Sequence, residues 1–124
     1  MPRVNGLPTE AEEQTALFQW AQLMEKQLPP LTMMYAVPNG GSRNKLEAAN
    51  LKRQGVKAGV PDICLAYPSG GFHGLYIEMK VGKNKTSENQ NKWLENLMRV
   101  GYATAVCYSC NEAITAIRKY LGLM

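Results

Sequence analysis

The stretch GVPDICLAYPSGGFHGLYIEMK, from Gly59 to Lys80, decides the fold of this chain. Two short runs of alternating side chains flank the segment PSGG at 68–71, whose composition is typical of a hairpin turn. Successive side chains of a strand point to opposite faces, so Glu78 and Lys80 share one face. Antiparallel pairing across the turn brings Asp62 near Glu78. The stretch therefore predicts that two carboxylates and one lysine converge at the edge of a sheet.

That convergence has a chemical use. Mg²⁺ keeps several waters and takes only one or two carboxylates from a protein, so Asp62 and Glu78 would suffice, and Mn²⁺ is expected to substitute. The backbone carbonyl of Met79 would add a further oxygen, and Lys80 would orient or help to deprotonate the water that attacks a phosphodiester. The alternative is that Glu78 and Lys80 form a weak ion pair on an exposed strand face. The dipeptide Pro61-Asp62, placed just before the hairpin, favours the site.

The residues PD at 61–62 and EMK at 78–80 resemble the signature of the PD-(D/E)xK nucleases. From about Glu10 to Leu121 the chain resembles specifically the VRR-NUC branch of that superfamily, in its compact stand-alone form. Further residues that carry this resemblance are PNGG at 38–41, GVKAGVPD at 55–62, Ser87 and Gln90. The resemblance implies an α/β domain with a restriction-endonuclease-like core, in which α-helices flank a mixed central β-sheet.

One segment departs from the pattern of that family. After Lys80 the chain continues as VGKNK at 81–85, not with the Val-Arg-Arg for which the family is named. Any role of those arginines must fall to Lys83 or Lys85, or be absent.

The first helix offers two glutamates for the site. Thr9 begins this helix, and Glu12 completes a capping-box pattern. Projecting the apolar stripe of the helix backwards reaches Glu10 and Glu13, and a glutamate there would either favour the helix N-terminus or extend the acidic site. The resemblance implies a glutamate four residues before a glutamine, which fits Glu10 and Gln14. We therefore choose Glu10, as a ligand directly or through water, and keep Glu13 as the alternative.

Gln90 has two explanations as well. Ser87 to Gln90 (SENQ) forms a capping box at the start of a helix over 87–100, and that alone would account for both residues. Yet Gln90 lies on the inward stripe three residues before Trp93, and it matches the active-site glutamine that the resemblance implies. One residue can serve in both ways.

Length and composition indicate a single domain. The chain has 124 residues, 45% of them hydrophobic and 19% charged, which is ordinary for a globular protein. We expect a flexible tail over residues 1–8 and one domain over 9–124. No apolar run approaches transmembrane length, so we expect a cytoplasmic protein with no membrane contact and with reduced cysteines.

The charge favours a polyanionic partner. The formal net charge is +4 and the pI is about 9.0. Cationic residues are concentrated in a helix predicted over 43–54, which Ser42 would cap and Gly55 would end, and they continue in the loops before and after the hairpin. A basic approach to a metal site suits the DNA backbone, and no base-reading motif is visible. The residues expected to contact DNA are Arg43, Lys45, Lys52, Arg53, Lys57, Lys83 and Lys85.

The remaining elements complete an alternating pattern. Residues 31–37 predict a strand, 102–107 a further strand, and 111 or 112 the start of a last helix. The predicted order is helix, strand, helix, strand, strand, helix, strand, helix. Interleaved helices and strands favour an α/β layered domain, and the hairpin makes its sheet mixed.

The CxxC at 107–110 suggests competing chemistry. A structural zinc site normally needs two such ligand pairs, and the remaining candidates, Cys64 and His73, show no paired spacing. A thioredoxin-like site would follow an early strand. Reduced cysteines at a strand end are therefore the favoured interpretation, and His73 is expected at the surface of the turn.

Together these features predict an Mg²⁺-dependent endonuclease acting on DNA, with Asp62, Glu78, Lys80, Gln90 and Glu10 as its catalytic residues. The resemblance implies a homodimer acting on branched DNA, with Holliday junctions as the leading candidate. A monomer that nicks flaps is one alternative. A non-catalytic nucleic-acid-binding domain is another, against which the intact set of site residues speaks.

Overall fold

A computed structural model describes residues 6–38 and 44–123 of the chain. Its elements, in chain order, are α1 (Glu10–Met24), a 3₁₀ helix (Pro29–Met33), β1 (Met34–Ala36), α2 (Lys45–Arg53), β2 (Ile63–Leu65), β3 (Leu75–Met79), α3 (Glu88–Arg99), β4 (Ala103–Cys107) and α4 (Cys110–Tyr120). None of the helices in this part of the chain is long and apolar enough to cross a membrane.

The four strands form one mixed sheet in the order β1-β2-β3-β4. The hairpin pairs β2 with β3 antiparallel, with Ile63 opposite Ile77, and β1 pairs antiparallel with β2. β3 and β4 are parallel, as the intervening α3 permits, because parallel neighbours need a long crossover. The predicted α/β class and mixed sheet are confirmed.

Helices α1 and α4 cover one face of the sheet. Period-two alternation directs Ile63, Ile77 and Met79, each 0% exposed, towards Leu17 of α1 and Ile117 of α4. We call this side of the sheet the core face. Its buried side chains are Leu17, Ala21, Leu31, Met34, Ile63, Leu65, Leu75, Ile77, Met79, Cys107, Ala113 and Ile117.

The opposite side, which we call the open face, carries Cys64, Tyr76 and Glu78, the residues that alternate with the core positions. Helix α3 contacts β4, and its buried Leu94 and Leu97 lie outside the core cluster, so α3 covers the β4 end of this face. The β1 and β2 end of the open face has no such cover from α3.

The first strand is shorter than the sequence predicts. Residues 29–33 form a 3₁₀ helix because Pro29 and Pro30 occupy its first positions, where their fixed φ and missing N–H are tolerated. Leu31, 2% exposed, is buried from this helix rather than from a strand. Only Met34–Ala36 remains for β1.

Two predicted helix starts are also corrected. Helix α2 begins at Lys45, where the Asn44 side chain caps it by accepting the Glu47 N–H at 2.7 Å. The predicted Ser42 cap and most of the predicted turn at 38–41 lie outside the described residues. Helix α4 begins at Cys110, one or two residues earlier than expected, because the Ser109 side chain accepts the Glu112 N–H at 3.1 Å.

Candidate active site

Asp62 stands immediately before β2 and is held across the hairpin. Continuing the register of β2 and β3 by one step places it opposite Glu78. Its Oδ2 accepts the Met79 N–H at 2.7 Å, and its own carbonyl accepts the Val37 N–H at 2.7 Å. Both strands beside β2 therefore fix the position of this carboxylate.

Glu78 is the one charged residue counted among the buried polar side chains of the described chain, at 2% exposure. Its Oε1 has no hydrogen-bond partner. Burial, and then the neighbouring Asp62, raise the pKa of Glu78 to about 8, while Lys80 acts in the opposite direction. An ionised Glu78 is therefore costly here unless a cation accompanies it.

Lys80 supplies only part of that compensation. Its Nζ lies 3.9 Å from Glu78 Oε2, and its side chain is 11% exposed. The Lys80 N–H donates to the Cys107 carbonyl at 2.9 Å, which holds the residue beside the end of β4. Lys80 and Glu78 thus project from the same face, and the ammonium lies beside the Glu78 carboxylate.

Gln90 makes a contact that fits each of the two explanations for its position. Its Oε1 accepts the Ser87 N–H at 2.8 Å, and Ser87 Oγ accepts the Gln90 N–H at 3.2 Å, so the capping box of α3 is complete. Its Nε2 donates to Glu78 Oε2 at 3.1 Å. The alternatives of helix cap and site residue are not exclusive.

The two glutamates of α1 have different surroundings. Glu10 is close enough to Glu78 for its charge to add to the upward shift of the Glu78 pKa, and its Oε2 accepts from Asn84 Nδ2 at 3.4 Å. Glu13 instead accepts the Cys110 N–H at 2.6 Å, which caps the N-terminus of α4. The geometry places Glu10 beside the site and gives Glu13 a structural contact.

The profile of one family covers most of the chain. The VRR-NUC domain matches residues 9–111. The chain belongs to the VRR-NUC family. A solved structure described as a VRR_NUC domain protein is 33% identical, covers 97% of this chain and 93% of its own, and superposes with a TM-score of 0.80. No curated protein matches the chain.

Membership of this family confirms the resemblance noted in the sequence. The VRR-NUC family is nuclease-related, so the chain is a nuclease-type domain and DNA is its class of substrate.

The residues of this VRR-NUC domain fit a hard divalent cation. Within 6–38 and 44–123, no three Asp, Glu, His or Cys side chains converge as a complete ligand set. Mg²⁺ does not need one, because it binds through one or two carboxylates and retains waters. Asp62 supplies one carboxylate, and the unpartnered Oε1 of Glu78 supplies a buried oxygen with no other use. The predicted contribution of the Met79 carbonyl stays a prediction.

The described members of the expected DNA-binding set lie outside the sheet. Those in the described ranges are exposed, on α2 or in the loops at 54–59 and 81–85. Arg53 contacts the Asn50 side chain of its own helix. The members of this set are Lys45, Lys52, Arg53, Lys57, Lys83 and Lys85, whereas Arg43 lies outside the described residues.

The CxxC does not form a reactive pair. Cys64, Cys107 and Cys110 are free thiols. Burial raises the pKa of Cys107 to about 11 and also raises the pKa of Cys110, so both thiols stay protonated and unreactive near neutral pH. Cys110 takes part in the fold through its backbone N–H, which meets Glu13.

One residue beside the site was missed from the sequence. Asn84 contacts Glu10. It lies in the loop at 81–85, where only Lys83 and Lys85 were predicted to have a function. No local pattern marks it, because its partner is 74 positions away in the chain.

Proposed function

We propose that this VRR-NUC domain is an Mg²⁺-dependent endodeoxyribonuclease that hydrolyses phosphodiester bonds in branched DNA. The observation that carries the proposal is the state of Glu78: a carboxylate 2% exposed, with one oxygen unpartnered, between Asp62 and Lys80. A buried carboxylate in this setting is costly for the fold by itself, whereas it is useful as a ligand.

Each residue has a distinct task in this proposal. Asp62 and Glu78 would hold Mg²⁺, with the Met79 carbonyl and with Glu10 directly or through water. When bound, Mg²⁺ would supply Lewis-acid stabilisation of the charge that develops on the phosphate.

Lys80 and Gln90 act around those ligands. The Lys80 ammonium, 3.9 Å from Glu78 Oε2, donates a hydrogen bond that orients the attacking water. Gln90 donates to Glu78 Oε2, which leaves Oε1 as the oxygen that would bind the cation. Its amide thus sets which face of the carboxylate is available.

The DNA is held by its backbone. The exposed cations named above suit phosphate contacts, which position a nucleic acid without selecting its sequence. One site of this size cuts one strand, so paired incisions in a four-way junction require two copies, and we propose a homodimer on that ground.

The test is cleavage of a labelled four-way junction, a 5′ flap and a linear duplex in Mg²⁺, Mn²⁺ or EDTA. Wild type is compared with Lys80→Ala and with Lys92→Ala, whose lysine is 68% exposed and pairs with Glu88 on α3. We expect metal-dependent cuts on opposed strands of the junction, lost in Lys80→Ala and retained in Lys92→Ala. Cleavage of the flap alone would refute the proposed junction substrate. Binding of DNA by wild type without any cleavage would refute the proposed nuclease activity.

A further inference from the structure

A row of side chains crosses the open face next to the carboxylates. Tyr35 of β1 pairs directly with Cys64 of β2, and Cys64 pairs directly with Tyr76 of β3. Side chains at paired positions of neighbouring strands lie on the same face and side by side. The row is therefore Tyr35, Cys64 and Tyr76, in that order across three strands.

The direction of this row follows from its neighbours. Met34, Ile63 and Ile77, which adjoin the row along β1, β2 and β3, are buried in the core between the sheet and helices α1 and α4. Alternation sends Tyr35 and Tyr76 to the other side, the side of Glu78. The tyrosine row and the candidate active site thus share one surface.

The two tyrosines are more exposed to solvent than the cysteine between them. Cys64 is 3% exposed, whereas Tyr35 is 50% exposed and Tyr76 is half-buried. The ring of Tyr76 meets the edge of Tyr102 at a centroid distance of 5.4 Å and an interplanar angle of 73°, which restricts its orientation. Hydrogen bonding with Cys64 raises the pKa of Tyr35, and burial raises the pKa of Tyr76, so both rings stay neutral.

We propose that Tyr35 and Tyr76 form a stacking platform for unpaired bases of the DNA strand whose phosphate lies at Asp62 and Glu78. Tyr76 is two residues from Glu78, which is about 7 Å along a strand. Two stacked nucleotides span about the same distance, at about 3.4 Å each. Tyr76 is therefore within one or two nucleotides of the scissile position, and Tyr35 lies two strand spacings, about 10 Å, farther across the sheet, where it would meet the next bases of the same strand.

The chain segment that connects the first two strands of the row favours a nucleic acid as its occupant. The connection from β1 to β2 joins the strand of Tyr35 to that of Cys64, and its described residues, 37–38 and 44–62, include the exposed cations Lys45, Lys52, Arg53 and Lys57. Cations for the backbone beside aromatic rings for the bases are the two components of single-strand binding sites.

The platform narrows the class of substrate. In a paired duplex the base faces are stacked on each other and are not offered to a protein side chain, whereas strands at flaps, branches and opened junctions present them. The inference rests on the proposed nuclease function and adds that the site selects DNA with unpaired nucleotides next to the cleaved bond.

The test compares Tyr35→Leu, which removes the ring, with Tyr35→Phe, which keeps it. The matched control is Phe72→Leu, because Phe72 is 45% exposed but packs near Tyr120 of α4 rather than on the open face. Binding of a single-stranded oligonucleotide and of a blunt duplex is measured in EDTA by fluorescence anisotropy. Tyr35→Leu is expected to weaken single-strand binding about fivefold or more and to leave duplex binding unchanged. Tyr35→Phe and Phe72→Leu are expected to bind as wild type does.

A second readout keeps the proposal open to refutation should Tyr35→Leu fold poorly. A 2-aminopurine base is moved stepwise along the oligonucleotide on wild type, and stacking at the platform is expected to quench its fluorescence at one or two adjacent positions. No quenching at any position, or equal single-strand binding by Tyr35→Leu and wild type, would overturn the platform. A change of oligomeric state in Tyr35→Leu, measured by sedimentation, would instead assign the face to contacts between copies.

The outcomes also separate the two proposals. Tyr35-dependent binding with no cleavage of any DNA in Mg²⁺ refutes the nuclease and retains the platform. Cleavage that requires Lys80, together with single-strand binding indifferent to the ring at position 35, retains the nuclease and refutes the platform.

Discussion

The side-chain amide of Gln90 donates a hydrogen bond to Glu78 Oε2 at 3.1 Å, and this contact joins the first turn of α3 to the C-terminal end of β3. The same side chain accepts the Ser87 N–H that begins the helix. Any change at Gln90 therefore reports on helix capping and on the site at once, and the two effects must be separated by design.

Gln90→Glu separates them. A glutamate at this position preserves the capping box, since S-x-x-E is equivalent to S-x-x-Q. It removes the donor to Glu78 and adds a further carboxylate beside Glu78, so cleavage is expected to fall by about 10- to 100-fold. Initial rates at saturating Mg²⁺ give the measurement.

The control for that change is Ser87→Ala. It removes the Ser87 Oγ that caps α3, which costs about 1 kcal/mol of unfolding free energy, and it leaves the donor to Glu78 in place. Activity below the melting transition should be retained. Equal losses of activity in Gln90→Glu and Ser87→Ala would show that the helix cap, not the contact with Glu78, matters for cleavage.

The raised pKa of Glu78 predicts how stability depends on pH in the absence of metal. The carboxyl has an ordinary pKa of 4.5 when unfolded and about 8 when folded, so the folded state binds the extra proton between these values. The contribution of the Glu78 carboxyl to the free energy of unfolding is fully present below about pH 4.5 and is lost as the pH rises through 8. The Tm in EDTA should fall between pH 6 and pH 8.5, and Glu78→Gln should lose this part of the slope.

Divalent cation should reverse that loss. Binding to the ionised pair Asp62 and Glu78 stabilises the folded state by mass action, so added Mg²⁺ should raise the Tm at pH 8.5 more than at pH 6. The matched variants are Asp62→Asn and Glu78→Gln, in which the rise should be absent. A rise of the same size in both variants and wild type would place the cation elsewhere.

Glu10 and Glu13 are predicted to act on different quantities. Glu13→Ala removes the carboxylate that accepts the Cys110 N–H at 2.6 Å, and it should lower the unfolding free energy by about 1.5–3 kcal/mol. Glu10→Ala should leave the Tm nearly unchanged and weaken cleavage at limiting Mg²⁺. Chemical denaturation and a metal titration of the cleavage rate distinguish them. Lost activity in Glu13→Ala with unchanged stability would reverse the assignment.

The convergence of Asp62, Glu78 and Lys80 was predictable from sequence because it depends on short-range rules. Alternation along a strand sets which side chains share a face, and a tight turn sets which positions of the hairpin meet. Both capping boxes are equally local, and Thr9 with Glu12 forms the expected one at α1.

Contacts between distant parts of the chain were not predictable in the same way. The role of Glu13 depends on Cys110, which is 97 positions away, and no local pattern pairs them. The 3₁₀ helix at Pro29–Met33 was hidden because an apolar run does not distinguish a strand from another buried segment. Tyr76 was visible on the Glu78 face by alternation, but Tyr35 joins it only through the register of β1 with β2.

Gly59 lies where the segment that leads to Asp62 contacts α3, and its substitution should affect both stability and the site. Its φ is +89°, and a Cβ there would lie 2.8 Å from the Asn89 backbone carbon, next to Gln90. Only glycine allows the segment that leads to Asp62 to approach α3 so closely. Gly59→Ala should therefore cost at least about 2 kcal/mol of unfolding free energy and should also disturb the contact between Gln90 and Glu78.

Gly70→Ala is the control for this prediction. Its φ is +60°, and a Cβ would have nothing within 4 Å, so only the backbone conformation is penalised, by about 1–2 kcal/mol. Denaturation and cleavage rates below the melting transition are measured for both variants. Gly59→Ala should lose activity as well as stability, because its added methyl group pushes on the turn that positions Gln90, whereas Gly70→Ala should lose stability alone. If both variants keep full activity, the approach of the Gly59 segment to α3 serves packing and does not position the site.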